Sequence, residues 1–367
     1  MNFATNYNNR TYGLDVFRSI AIILVVHIHG LYMLNNTILE GIPWINIIDG
    51  VELFFVLSGF LIGSILIKTI DKNNYKLNIK TILHFWKRRW FRTLPNYYLI
   101  LFLNIIFVYF NIIDGDINQF SYKFFIFTQN FFNPLTDFFW ESWSLTIEEW
   151  FYIILPICLL IVLKMIPKKK GILIVIITLM ALPLCYRIMQ SNKIVNYFWW
   201  DVEFRKVVVM RLDTIIYGVL AAYIKYYYYD IWKKHTKLLF IIGLIAALII
   251  PNIPKDPNSF FAKTFYFNLT TISATLLLPY ADSIKKFKSS IGKIITHISL
   301  ISYSMYLINL ALISQVMAKN FPITSPTEGF IKYIIYWLIV ITGSTLLYFF
   351  FEKPIMELRE KKAKVSS

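Results

Sequence analysis

Residues 14–34 read LDVFRSIAIILVVHIHGLYML, an uninterrupted apolar run of helix-compatible composition. A helix rises 1.5 Å per residue, so about 20 such residues cross the ~30 Å hydrocarbon core of a bilayer. The run follows a polar start and lacks a small-residue cleavage site, so it reads as a retained first span rather than a signal peptide. It also carries groups that are costly in hydrocarbon: Asp15, Arg18, His27 and His29. At about 100° per residue, Arg18 and His29 fall within about 20° of each other after three turns, about 16 Å apart along the axis. His27 points to the side opposite Arg18. Asp15, one turn before Arg18, can pair with it. Two readings follow. Either Asp15 and Arg18 cap the inner end of the span and the histidines bond across helices, or Arg18 and His29 line a working face.

The rest of the chain repeats the pattern. Of 367 residues, 57% are hydrophobic and only 16% charged, against about 25% charged in soluble domains. Spans are expected at 14–34, 47–68, 94–113, 147–165, 172–189, 207–224, 238–251, 264–280, 294–316 and 331–351. The fold class is therefore all-α, a polytopic membrane protein of about ten helices. The stretch 124–132 is too short to span and too aromatic for an ordinary loop, so it is expected to lie at the interface or to re-enter. Alternate loops carry 24 Lys and Arg on one side against 7 on the other, the remaining 6 of the 37 lying inside spans. Positive loops stay in the cytoplasm, which places both termini there and the protein in the cytoplasmic (inner) membrane. The net charge of +16 sits in these short loops, so its expected partner is anionic lipid and not nucleic acid. The chain is expected to form a single membrane domain over 1–367, with no appended soluble domain. Cys158 and Cys185 lie in apolar blocks and read as packing residues.

Further polar residues interrupt the apolar blocks. The second span opens with Asp49, Gly50, Val51 and Glu52 and enters from outside, which puts Glu52 at about the depth of His29, where a carboxylate can orient an imidazole. Ser58 and Gly59 favour close helix packing. The most basic loop contains Arg88, Arg89 and Arg92 ahead of Pro95. Arg89 and Arg92 share a face on a helical turn and suit a phosphate-bearing ligand, or else anchor to lipid headgroups. The outer segment 140–152 brings Glu148 and Glu149 just inside a span. Adjacent helical residues diverge by about 100°, so one can face the interior and the other a partner. Arg211 with Asp213, and Glu203 with Arg205, are candidate ion-pair partners. No Gly-rich phosphate loop, HExxH, paired-Cys or Gly-x-Ser-x-Gly motif occurs, and five scattered histidines give no metal-ligand pattern, so no metal is expected.

Taken in order, these residues resemble the acyltransferase-3 family of bacterial membrane acyltransferases over essentially the whole chain. The resemblance is carried by Arg18 with His29, Gly50–Gly59, Arg89 and Arg92 with Pro95, Trp143–Tyr152, Arg211 with Asp213, Ile301–Leu307 and Glu352–Pro354. Where many relatives carry a histidine after the Tyr-Leu of the ninth span, Asn309 stands here. The resemblance implies transfer of an acyl group, commonly acetyl, from acyl-CoA (acetyl-CoA) to a hydroxyl of a cell-surface glycan or lipid-linked saccharide. Relatives acylate lipopolysaccharide O-antigen, exopolysaccharide, peptidoglycan sugars or small metabolites. It implies that His29 either deprotonates the acceptor or carries the acyl group. Arg18 then holds the phosphopantetheine arm or lines the inner pocket, and Glu148 or Glu149, with Glu52 as a further candidate, positions His29 or the acceptor from outside. Arg88, Arg89 and Arg92 hold the CoA phosphates, and Trp143, Arg211 and Asp213 contact the acceptor. The rival from another class is a transporter of a lipid-linked or anionic solute, since intramembrane charge also marks pathways. Against it, no pair of Gly/Pro-broken spans occupies matching places in two halves. A purely structural role leaves the shared Arg18–His29 face unexplained. A glycan polymerase would carry a large basic outer loop, whereas 114–146 has one basic residue.

Overall fold

A computed structural model describes residues 10–35, 48–166, 169–253, 255–285 and 289–358. Most of the expected outer loop 35–46, the outermost residues of both termini, and Lys286 and Lys288 lie outside the described residues. Among the described residues there is no strand. Ten longer helices carry the fold: α1 (Tyr12–Gly30), α2 (Gly50–Lys72), α3 (Ile79–Tyr109), α4 (Ser142–Met165), α5 (Lys169–Gln190), α6 (Val208–Tyr227), α7 (Thr236–Ile249), α8 (Phe265–Ser283), α9 (Ser290–Ile308) and α10 (Pro326–Leu347). Each expected span overlaps one of them.

Not all are built alike. Among the described residues, seven helical segments are long and apolar enough to cross a membrane. An eighth arises if the aromatic segment Tyr197–Arg205 and α6, bent by 63°, count as one broken span. At 14 residues α7 is short for a span, and α8 is outside the set that is both long and apolar enough. The chain is a multi-pass membrane protein, and rows of large apolar side chains such as Ile20, Ile23, Leu338, Ile339 and Phe350 face outward, as lipid contact requires.

Helix starts follow from local chemistry. Asp49 accepts the Val51 N–H at 2.8 Å and Asn78 the Thr81 N–H at 2.8 Å, which caps α2 and α3. Ser325 caps α10, with Pro326 in the first turn, where its missing N–H costs nothing. The expected basic loop 69–93 is a correction: α3 already begins at Ile79 and continues through Pro95, so the basic stretch is helical and Arg89 and Arg92 do share a face.

The centre of the bundle is α2 against α6. A Cβ on Gly59 would stand 1.9 Å from the Ile215 carbonyl oxygen, and one on Gly218 would stand 2.1 Å from that of Val56. Only glycine permits this backbone approach, which hydrocarbon-embedded helices use in place of a hydrophobic driving force. The segment 124–132 is non-helical and packs inward on α3 and α4. Its carbonyls are satisfied by side chains: Tyr97 Oη donates to Phe124 O (2.8 Å), Tyr98 Oη to Phe125 O (2.8 Å) and Trp150 Nε1 to Phe127 O (2.6 Å). Irregular backbone survives at such depth only when each polar group finds a partner in this way.

Candidate active site

Two adjoining cavities open inside the bundle, and the α1 face defined by Arg18 and His29 connects them. The inner cavity, of about 110 Å³, gathers Arg18 from α1, Arg89 and Arg92 from α3, Ser58 from α2, and Glu148 with Tyr152 from α4. α3 is pinned so that its arginines face inward. Glu149 accepts Thr93 Oγ1 at 2.8 Å and Trp90 Nε1 at 3.1 Å, while Trp86 Nε1 donates to Tyr152 O at 2.7 Å. The two adjacent acids therefore divide their work: Glu149 ties α4 to α3 and Glu148 lines the cavity. The Arg89 guanidinium lies 5.8 Å from the centre of the Phe85 ring. None of Arg18, Arg89 and Arg92 forms an ion pair with a described residue, although Arg187 and Arg211 do. Three cations beside one carboxylate give a cavity with a surplus of positive charge, and guanidinium forks match phosphate oxygens.

The outer cavity, of about 150 Å³, is lined by His29, Glu141, Trp143, Arg205 and Lys206 among others. Val51 and Tyr306 border both cavities. Tyr306 is held in place by its hydroxyl, 2.6 Å from Ser144 Oγ and donating to Glu141 O at 2.9 Å. Arg205 is spoken for by Asp49 and by Asp201 (2.7 Å), and Lys206 by Asp201 (2.6 Å). The Arg205 guanidinium stands 5.0 Å from the Trp143 ring centre, inside cation–π range. Glu141 accepts the Ala311 N–H at 3.3 Å through one oxygen, while its other oxygen is buried without a protein partner among the described residues. Burial pushes the Glu141 carboxyl up to about 7, since a charge removed from water is disfavoured. The His29 ring meets Asn309, with Nδ1 2.5 Å from Oδ1. Asn309 opens a π-helical turn, Asn309–Gln315, that continues α9.

Several expected placements are corrected. Glu52 is not beside His29: it pairs with Arg211 and accepts Thr271 Oγ1 at 3.2 Å. Asp213 is held by Arg187 (2.6 Å) and Asn268 (3.0 Å). Arg211 and Asp213 thus belong to two buried ion pairs, Glu52–Arg211 and Arg187–Asp213, among α2, α5, α6 and α8, outside the linings of both cavities. Each buried charge meets an opposite one, as it must when removed from water, while Arg187 Nε and Arg211 Nη1 have no hydrogen-bond partner among the described residues. Asp15 pairs with Arg10 and Ser299 rather than with Arg18, and Glu203 with Lys193 rather than Arg205. Arg88 is exposed and outside the inner cavity lining. Trp143 does line the outer cavity. His27, on the opposite face of α1, bonds Tyr333 Oη at 2.6 Å. Sequence reading passed over Arg187, a lone arginine near the end of an apolar block. It also gave no role to Glu141 or Lys206, which local pattern does not mark, or to Tyr306, which lies within the Ile301–Leu307 motif. Among the described residues no group of three or more His, Cys, Asp or Glu side chains is arranged to hold a metal.

The profile of an acyltransferase domain, that of the acyltransferase-3 family, matches residues 11–352. The chain belongs to the acyltransferase-3 family. Among its curated relatives is a candidate O-acetyltransferase of Staphylococcus aureus (strain COL), 29% identical over 95% of this chain and 58% of its own length. Another is an O-acetyltransferase of Staphylococcus aureus (strain NCTC 8325 / PS 47), 26% identical over 94% of this chain and 57% of the relative. A third is the peptidoglycan O-acetyltransferase of Listeria monocytogenes, 34% identical over 45% of this chain and 27% of the relative. The chain therefore spans a little over half the length of the first two. No solved structure gives a significant match. On this acyltransferase-3 chain, the motif residues Arg18, Arg89, Arg92 and Glu148 fall in the inner cavity, and His29 and Trp143 in the outer one.

Proposed function

We propose that this chain is an O-acyltransferase of the cytoplasmic membrane that moves an acyl group, most simply acetyl, from acyl-CoA to a hydroxyl of a cell-envelope glycan. One observation carries the reading: a cavity with three arginines outside any ion pair among the described residues adjoins, across Val51 and Tyr306, a second cavity that holds His29. Acyl-CoA is a polyanionic cytoplasmic thioester. The basic α3 face, which the charge bias of the loops puts toward the cytoplasm, suits its phosphates, with Arg89 and Arg92 as the anchoring forks and Arg18 deeper along α1. The relatives named as O-acetyltransferases, one of them acting on peptidoglycan, favour acetyl as the group and a glycan as the acceptor.

The chemistry assigned to His29 is proton transfer. Its imidazole takes the proton of the acceptor hydroxyl as the oxygen bonds to the thioester carbonyl carbon. The carbon–sulfur bond then breaks, and the proton passes from His29 to the leaving thiolate. Such base catalysis contributes about 10²–10⁴-fold. Expressed in membranes, the wild type should release CoA from acetyl-CoA in a glycan-dependent way. His29→Ala should lose this by about 10²–10⁴-fold, while His27→Ala, on the opposite face of α1 where the ring bonds Tyr333, should retain it. Release that is lost in His29→Ala but needs no glycan would mean that His29 itself carries the acyl group. Absence of release from any acyl-CoA by well-folded wild type would overturn the reading in favour of a transporter. Equal loss in both histidine variants would overturn the assignment to His29.

A further inference from the structure

We infer that Asn309 is a positioning residue that holds His29 as the Nδ1–H tautomer, so that Nε2 is the nitrogen that exchanges the proton. This rests on the acyltransferase reading for its chemistry, but the tautomer follows from the hydrogen bonds alone.

The orientation of the Asn309 amide is decided by its other end. Nδ2 lies 2.8 Å from Met305 O and 2.7 Å from Tyr306 O. Both are backbone carbonyls and can only accept, so the NH₂ end must face them. Turning the amide over would set its oxygen against two carbonyl oxygens in a site from which Asn309 is fully buried away from water. That leaves Oδ1 toward His29, 2.5 Å from Nδ1. An amide oxygen only accepts, so Nδ1 must carry the hydrogen. A neutral imidazole has one N–H, and Nε2 is then a bare lone pair.

The rest of the turn holds the same residue from behind. Ser314 Oγ donates to the His29 carbonyl at 2.7 Å, and Tyr32 Oη donates to the Ser314 carbonyl at 2.9 Å. The π-helical turn thus fixes both the ring and the backbone of His29. Such one-residue expansions often occur at functional sites. Fixing the tautomer of a working histidine through its second nitrogen is a general device, and loss of an orienting partner costs about 10–100-fold in comparable settings.

The test separates the tautomer from the activity. Protein labelled with ¹⁵N-histidine is reconstituted in membranes and its nitrogen shifts are recorded, His29 being assigned by its disappearance in His29→Gln. The expected wild-type spectrum shows a protonated Nδ1 and an unprotonated Nε2. Asn309→Leu removes the acceptor at similar size, and should give mixed tautomers and a kcat lower by about 10–100-fold with the KM for acetyl-CoA unchanged. Asn309→Asp, protonated on the oxygen that faces the Met305 and Tyr306 carbonyls, keeps an acceptor toward Nδ1 and should recover most of that kcat. An Nε2–H tautomer in the wild type, or a full kcat in Asn309→Leu, would overturn the inference. Should the wild type show no acyl transfer at all, the activity reading falls, and the nitrogen spectrum still decides whether Asn309 sets the tautomer.

Discussion

Removing Glu52 should unfold the protein more readily rather than disable its chemistry. The Arg211 side chain is 0% exposed and that of Glu52 6%, and the two are paired. Without Glu52, the Arg211 guanidinium keeps only the Thr214 hydroxyl, 2.9 Å from Nη2, and the Phe267 ring, whose centre lies 4.4 Å away. One hydroxyl and one ring face do not compensate a buried cation, and breaking such a pair from one side costs about 3–5 kcal/mol. Arg211→Met should cost a similar amount, because the carboxylate then keeps Thr271 alone. Changing both, as Glu52→Leu with Arg211→Met, removes the pair and its desolvation together, and replacing a whole buried pair by apolar side chains is often near neutral. The double variant should therefore be far more stable than the singles add up to, with a coupling above the ~0.5–3 kcal/mol of ordinary neighbours. The assay is equilibrium unfolding in mixed micelles of all four proteins, followed by the fluorescence of the 10 tryptophans. CoA release is measured in parallel. The double variant should keep release within severalfold of wild type, since neither side chain borders a cavity. Single variants with wild-type unfolding but no CoA release would refute the argument and return Glu52 to the side of His29.

Two further predictions follow from the same geometry. Charge-assisted bonds to phosphate contribute about 1.5–3 kcal/mol each, so Arg89→Ala and Arg92→Ala should each raise the KM for acetyl-CoA by at least about tenfold with little change in kcat, in steady-state CoA-release kinetics; an effect confined to the KM for the glycan would move the donor site elsewhere. Gly59→Ala should destabilise by about 1–3 kcal/mol or more through overpacking, because its Cβ would fall 1.9 Å from Ile215 O and backbone cannot yield as a side chain can; unfolding midpoints in mixed micelles read this directly.

The membrane fold was legible because hydrocarbon imposes a single strong rule, a run of about 20 apolar residues per crossing, and the helices lie on the expected runs. The rule says nothing of breaks, and the 63° bend after Arg205 falls in a stretch whose aromatic residues read equally as loop or helix. Within the site, α1 was legible because helix geometry is arithmetic: Arg18 and His29 reach the cavities and His27 turns to Tyr333. Pairings were not. Glu52 and Arg211 lie 159 residues apart, as do Asp15 and Ser299 at 284, and no local period specifies which acid meets which base. Glu52 was placed by depth alone, and depth does not fix rotation about the helix axis. Arg187 was passed over because it sits near the end of its apolar block, where a cation ordinarily snorkels to the interface; here it turns inward to Asp213.

The π-helical turn at Asn309 explains why one residue there serves both the fold and the site. Where an α-helix passes into a π-turn the regular bonding register changes, and in hydrocarbon any backbone group left short must be satisfied by neighbours. Asn309 supplies that with its NH₂, donated to the Met305 and Tyr306 carbonyls. Its oxygen is thereby committed to the one remaining direction, which is His29. A hydrophobic residue could fill the space and would satisfy neither end. An acid could accept from the ring, but would need a proton to face the carbonyls. The same reasoning separates the arginines. Arg187 and Arg211 are ion-paired with Asp213 and Glu52 and bonded to Asn268 and Thr214, and so hold helices together, although Arg187 Nε and Arg211 Nη1 are buried without a hydrogen-bond partner among the described residues. Arg18, Arg89 and Arg92, outside any ion pair with the described residues, keep their donors directed at a cavity. A buried cation is tolerated only with an anion or water beside it, which is why the acyl-CoA reading proposed above puts the donor's phosphates in the cavity that holds these three.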